Sequence, residues 1–123
     1  MPRSKLKSRA GHYRLTPRVK VWLEVNDCYG FGFGISEILQ AVERAGSIKR
    51  AASDLGKSYR YVWNRINEAE SALGRTLVET RVGGQGAQRS LLTETARRLM
   101  ADFLAIRSRM VEVLDAEFSR RFP

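Results

Sequence analysis

The side chains of this chain best suited to chemistry lie between Ser58 and Arg65, and that chemistry is hydrogen bonding to base edges and phosphates. A guanidinium makes two parallel bonds to guanine O6 and N7, and a carboxamide does the same with adenine N6 and N7. Arg60 or Arg65 would take a guanine and Asn64 an adenine. The three stand as a group, because any one arginine is equally well read as a solvated charge or an exposed ion pair of little worth. Tyr59 and Tyr61 can bond phosphates or touch a thymine methyl, with Tyr59 alternatively closing the core beside Trp63. Ser58 suits a phosphate at a helix start, where free amides and the helix dipole favour an anion. Lys49 and Arg50, one helix earlier, suit backbone contacts.

Such a set needs a projecting helix, and the run GSIKRAASDLGKSYRYVWNRI over 46–66 provides one. Ser47 is an N-cap, its hydroxyl accepting from a first-turn amide. Ile48, Ala51, Ala52 and Leu55 then recur at helical spacing. Gly56 ends that helix in the left-handed region, where other residues are strained. Ser58 caps a second helix whose apolar face is expected to be Val62, Trp63, Ile66, Ala69 and Leu73, leaving Arg60, Tyr61, Asn64, Arg65 and Glu68 outward. This is a helix-turn-helix, and its second helix fits a major groove. An ordinary packed helix pair is the alternative, and the segment C-terminal to it weighs against that alternative. Leu77–Arg81 and Ser90–Thr93 are β-prone, and the stretch between them is glycine-rich and free of acids. Two such strands form a hairpin, here a wing. Arg81 and Arg89 would hold phosphates at its ends, and Gln85 and Gln88 would reach a groove or sugar edge. A phosphate cradle for a nucleotide is disfavoured, since no GxxxxGK[ST] run is present.

The pieces GSI…AA…LG.SY..VW..IN over 46–67, LVE.R.GG.G over 77–86 and the pair Leu92-Thr93 resemble the DNA-binding domain of ModE-type molybdate-responsive regulators. More distantly they are similar to LysR-type winged helices. The resemblance covers roughly Thr16 to Phe118 and implies a dimeric, bacterial winged-helix transcription factor. Lys57 departs from it, standing where such turns usually carry an apolar residue; it loosens the turn or adds a phosphate contact. The chain ends at Pro123, ahead of the oxyanion-binding domains of full-length relatives, so the family's molybdate response is not carried over.

Composition fits a polyanion partner. The formal charge is +9 over 123 residues, and seven of the 22 bases (Arg3, Lys5, Lys7, Arg9, Arg14, Arg18, Lys20) precede Val21 without an acid. The remaining 15 bases face 13 acids, so the excess is N-terminal. That arm can follow phosphates or enter a minor groove, or it is a solvated tail. No apolar run has signal-peptide or membrane-span length. Cys28 and His12 lack zinc spacing, so no metal or cofactor is expected, and Cys28 is expected as a buried or half-buried thiol beside a turn. The simplest location is the cytoplasm.

Val19 to Val25 alternates as a strand, expected to extend the wing into a small sheet. The adjoining run to Gly34 alternates aromatics with glycines. Tyr29, Phe31 and Phe33 could stack on single-stranded bases, but packing over the first helix or in a dimer seam is favoured. Ile35–Ala45 reads as a helix with Ile35, Ile38, Leu39 and Val42 inward and Gly46 at its end. From the N-cap Thr93, helical periodicity continues to about Phe118. Leu99, Phe103, Ile106, Met110 and Val113 form a heptad-like stripe, with Met100, Leu104, Val111, Leu114 and Phe118 beside it. A helix capping its own domain explains one stripe; two favour a symmetry mate, which would set two recognition helices about one DNA turn apart.

The expected architecture is mainly α with a small β-sheet: a basic arm over 1–15, a winged helix-turn-helix over 16–92 and a dimerisation helix over 93–123. The expected function is sequence-specific regulation of transcription by a homodimer on double-stranded DNA. The alternative is a nonspecific or architectural nucleic-acid binder. Catalysis is not expected, as Glu37, Glu43, Asp54 and Glu79 lack a nearby histidine or nucleophile constellation. Nothing in the residues calls for a small-molecule effector.

Overall fold

The computed structural model describes residues 13–82 and 88–123; the arm up to His12, and Gln85 with its glycine neighbours, lie outside the described residues. The element order is β1 (Trp22–Val25), β2 (Cys28–Gly32), α1 (Phe33–Ala45), α2 (Ile48–Leu55), α3 (Tyr59–Leu73), β3 (Val78–Val82), β4 (Gln88–Leu92) and α4 (Glu94–Arg121). The chain divides into a compact unit over Val21–Arg107 and a second containing Ser108–Pro123. The expected boundary before Thr93 therefore does not separate α4 from the first unit, whose core takes in that helix's first half.

β1 does not extend the wing, contrary to expectation. It pairs antiparallel with β2 in a sheet of its own, and β3 with β4 in another. The cause is local. Asn26 and Asp27 have φ of 51° and 66°, the left-handed pair that a two-residue hairpin turn requires, so the chain folds back at once. Leu23 faces Phe31 and Glu24 faces Tyr29, which leaves Gly30 as an extra residue in a bulge. An added Cβ there would stand 2.7 Å from Val25 Cγ2, and one on Gly32 would collide with the Tyr29 hydroxyl. The glycines between the aromatics thus make room for neighbouring side chains. Only Phe31 of the three aromatics is buried; Tyr29 and Phe33 are exposed, with the Arg107 guanidinium 4.0 Å above the Phe33 ring. Cys28 is also exposed, not buried, because it opens β2 directly after the turn.

The three central helices follow their caps. Ile35, Ile38, Leu39 and Val42 of α1 are buried, and Gly46 ends it at φ 78°. Ser47 Oγ accepts from Arg50 N at 3.1 Å, and Gly56 closes α2 at φ 68°. Ser58 Oγ accepts from Tyr61 N at 3.0 Å to start α3. Ala51 and Ala52 are buried between the helices, where small side chains let α2 and α3 cross closely. Thr93 caps α4, its Oγ1 accepting from Ala96 N at 3.1 Å and donating to Thr76 O at 2.8 Å. Phe103 from α4 is fully buried and meets Phe31 edge-on, ring centroids 5.4 Å apart. This joins the first hairpin and the last helix in one core with Leu77 and Leu92 from the base of the wing.

Candidate nucleic-acid interface

Helix α3 presents its polar residues because its inward arc is narrow. Val62, Ile66 and Ala69 are buried, and they recur at spacings of four and three residues. Arg60, Tyr61 and Asn64 are exposed away from that arc, where the sequence reading puts them. Trp63 is not part of the inward face: it is 47% exposed. One residue on from Val62 is 100° around the helix, which carries the indole to the flank. There Tyr59, Arg60 and Trp63 line a shallow, almost wholly apolar hollow. Tyr59 is exposed too and does not close the core.

The two candidate guanine readers differ. Arg65 is half-buried and its Nη1 bonds Glu68 Oε1 at 3.0 Å. Arg60 is exposed and forms no ion pair among the described residues. Lys57 Nζ lies 5.2 Å from the centroid of the Tyr61 ring, so the polar residue in the turn packs its charge on α3. The Ser58 hydroxyl is engaged by the cap and keeps its proton for an anion.

The wing stands beside this helix because four hydrogen bonds hold its base. Glu70 Oε2 accepts from Leu77 N at 2.8 Å and Val78 N at 3.1 Å, linking α3 to β3. Ser90 N donates to Gly46 O at 2.8 Å, linking β4 to the turn between α1 and α2. Thr93 N donates to Leu77 O at 2.9 Å. A cleft results, lined by Ser47, Ile48, Lys49, Tyr59, Thr80, Gln88 and Ser90. It brings together Lys49, Tyr59 and Gln88, three of the residues singled out in the sequence, and adds Thr80. Arg50 is exposed on α2 nearby in sequence. Arg81 and Arg89 are directly paired across the hairpin, and Arg81 has Glu79 at 3.6 Å. Like charges set opposite each other on a ladder repel, and the Glu79 carboxylate beside Arg81 offsets part of that repulsion.

Sequence reasoning missed Glu70, Thr80 and the outward turn of Trp63. The last was accessible from the helical period. The Glu70 contacts span seven and eight residues and a turn, and no local pattern announces them.

No helix among the described residues is long and apolar enough to cross a membrane, and no group of three metal-ligating side chains occurs among them. The pattern of the family described as "Bacterial regulatory helix-turn-helix protein, lysR family" matches residues 36–97. Among curated proteins, the molybdenum transport protein ModE of Herbaspirillum seropedicae is 36% identical over 77 residues, covering 63% of this chain and 29% of that protein. The DNA-binding transcriptional dual regulator ModE of Escherichia coli K12 is 36% identical over 80 residues, covering 63% and 30%. The chain thus spans about three-tenths of the length of the curated relatives it matches. Among solved structures, a chain of the CbnR_DBD–DNA complex aligns with a TM-score of 0.58 at 23% identity, covering 74% of this chain and 99% of that one. ArgP from Mycobacterium tuberculosis aligns at 0.51 and 22%, covering 69% and 30%. The fold is that of LysR-type winged helices, in keeping with the order helix, helix-turn-helix, wing and long helix. With half its length matched by the family pattern, the chain belongs to the lysR family of bacterial regulatory helix-turn-helix proteins.

Proposed function

We propose that this chain binds double-stranded DNA sequence-specifically as a homodimer and regulates transcription in the bacterial cytoplasm, with no catalysis of its own. The observation that carries this reading is the face of α3: a capped helix with Arg60, Tyr61 and Asn64 outward, flanked by a wing bearing Arg81 and Arg89. The helix enters the major groove with its N-terminal residues on base edges, and the wing lies on the backbone or minor groove. Lys49, Arg50 and Lys57 add backbone contacts. The names of the curated relatives, which include a DNA-binding transcriptional regulator, agree with this reading.

The dimer rests on α4. Leu99 is partly buried and Phe103 fully buried against the chain's own core, so neither needs a partner. Ile106, Met110 and Val113 continue the same stripe and are exposed. A two-fold mate covers such a stripe with its own copy.

The test is selection of bound duplexes from a random pool at near-physiological salt. A two-fold symmetric motif that is lost when Arg60 and Arg65 become alanine is the expected result. Arg60→Ala alone should cost about 1–3 kcal/mol and relax one position. Enrichment of no motif, with binding that survives both changes and falls steeply with salt, would instead identify a nonspecific or architectural binder.

A further inference from the structure

The hollow on the flank of α3 is unusual for a helix whose neighbouring surface is charged. Tyr59 and Trp63 are four residues apart, on adjacent turns of one face, and the stem of Arg60 closes the third side. Both rings are about half exposed, at 49% and 47%, although an indole and a phenol ring on a solvated helix gain by burial. Asn67 Nδ2 donates to Trp63 O at 3.0 Å one turn on, so the backbone there is engaged while the ring stays open. The Arg60 guanidinium at the rim is without an ion pair among the described residues, and the hollow lies at the N-terminal end of α3, where base edges are met.

We infer that this hollow seats the 5-methyl group of a thymine in the major groove, making Trp63 a specificity-determining residue alongside Arg60. The inference rests on the proposed reading of α3 as the base-reading helix and deepens it. The chemistry selects the occupant. In the major groove the thymine methyl is the apolar group that distinguishes one base from the other three, and it is one carbon in size. The guanidinium at the rim meets a guanine acceptor or a phosphate on the adjoining nucleotide, so the occupant is a thymine beside an anion or an acceptor. A polar base edge in the hollow would lose its water without gaining a hydrogen bond.

The test uses the full chain and duplexes carrying the selected motif, with each thymine in turn replaced by deoxyuridine, which lacks only the methyl group. One thymine per half-site should stand out: its replacement weakens binding by the unmodified chain about fourfold, the worth of one buried methyl-sized group. For Trp63→Ala the same replacement should make no difference, and for Trp63→Phe part of the penalty should return. Because Trp63 lies outside the core, these variants keep the helical circular dichroism of the parent. The inference is overturned by a motif without thymine, by deoxyuridine duplexes that all bind like the parent, or by a full penalty persisting in Trp63→Ala. Enrichment of no motif at all overturns the underlying reading of α3, and the inference with it.

Discussion

Hairpin β1–β2 turns through Asn26 and Asp27 and sends Phe31 into the core, whereas hairpin β3–β4 is buried at its base and exposed toward its tip. At that base, Leu77 and Leu92 are buried and Glu70 holds two amides; at the far end of β3, Val82 is 75% exposed beside the Arg81–Arg89 pair. Both are two-stranded antiparallel ribbons, which are marginal alone and need a surface to pack on. The first packs Phe31 and the partly buried Leu23 on the core, with Cys28 and Tyr29 exposed beside its turn. The second is anchored at its base by Leu77, Leu92 and Glu70, and Arg81 and Arg89 farther along it are exposed. In the proposed reading the first hairpin serves the core and the exposed arginines of the second serve recognition.

The comparison is most directly broken at Phe31. With the ring fully buried against Phe103, Phe31→Ala should destabilise the chain by about 3–5 kcal/mol, measured by chemical denaturation. Val82→Ala, at the exposed end of β3, should stay within about 0.5 kcal/mol of the parent. Equal effects at the two positions would show that the wing is integrated as fully as the first hairpin.

Glu70 tests the support of the wing. Glu70→Ala removes the acceptor of two backbone N–H groups and should cost about 1–3 kcal/mol in the same measurement. Glu70→Gln retains an acceptor oxygen and should cost less. DNA affinity of the alanine variant should also fall, since the wing is then no longer held against α3. Unchanged stability in both variants would mean that the core residues Leu77 and Leu92 alone hold the wing.

The exposed arginine pair of the wing has a different signature. Arg81→Ala and Arg89→Ala should each lower the slope of log affinity against log salt by about 1, with similar losses on all sequences. Neither should destabilise the fold, because each relieves a like-charge pair on the ladder. A slope that does not change would remove the wing from the phosphate contacts.

How much of this is legible from the residues depends on the range of the interactions. Ser47, Gly56, Ser58 and Thr93 act within one helical turn, and their capping roles are as the sequence implies. The inward positions Ile35, Ile38, Leu39 and Val42 likewise follow from period alone. Strand β1 is recognisable as a strand, but alternation does not say which strand it pairs with; the turn at Asn26-Asp27 decides that. Cys28 and Trp63 mislead because apolar character suggests burial, while each stands where the local geometry points outward. Glu70 is invisible because its partners lie across a turn.

The turn of the first hairpin allows the smallest test. Asn26 and Asp27 both occupy left-handed backbone, where asparagine is well tolerated at the first position and glycine is preferred at the second. Asp27 carries a Cβ and a charge into that conformation, and both side chains are exposed, so replacing the aspartate removes no packing. Glycine would relieve the strain at φ 66°, but it also gives the unfolded chain more freedom, and the two effects oppose each other. Relief of strain is the larger where the native φ is positive, so Asp27→Gly should raise stability by about 0.5 kcal/mol. DNA binding should not change, since the turn belongs to the hairpin that serves the core. A loss of stability would show that the aspartate side chain itself organises the turn, and a loss of DNA affinity would mean that the first hairpin also takes part in recognition.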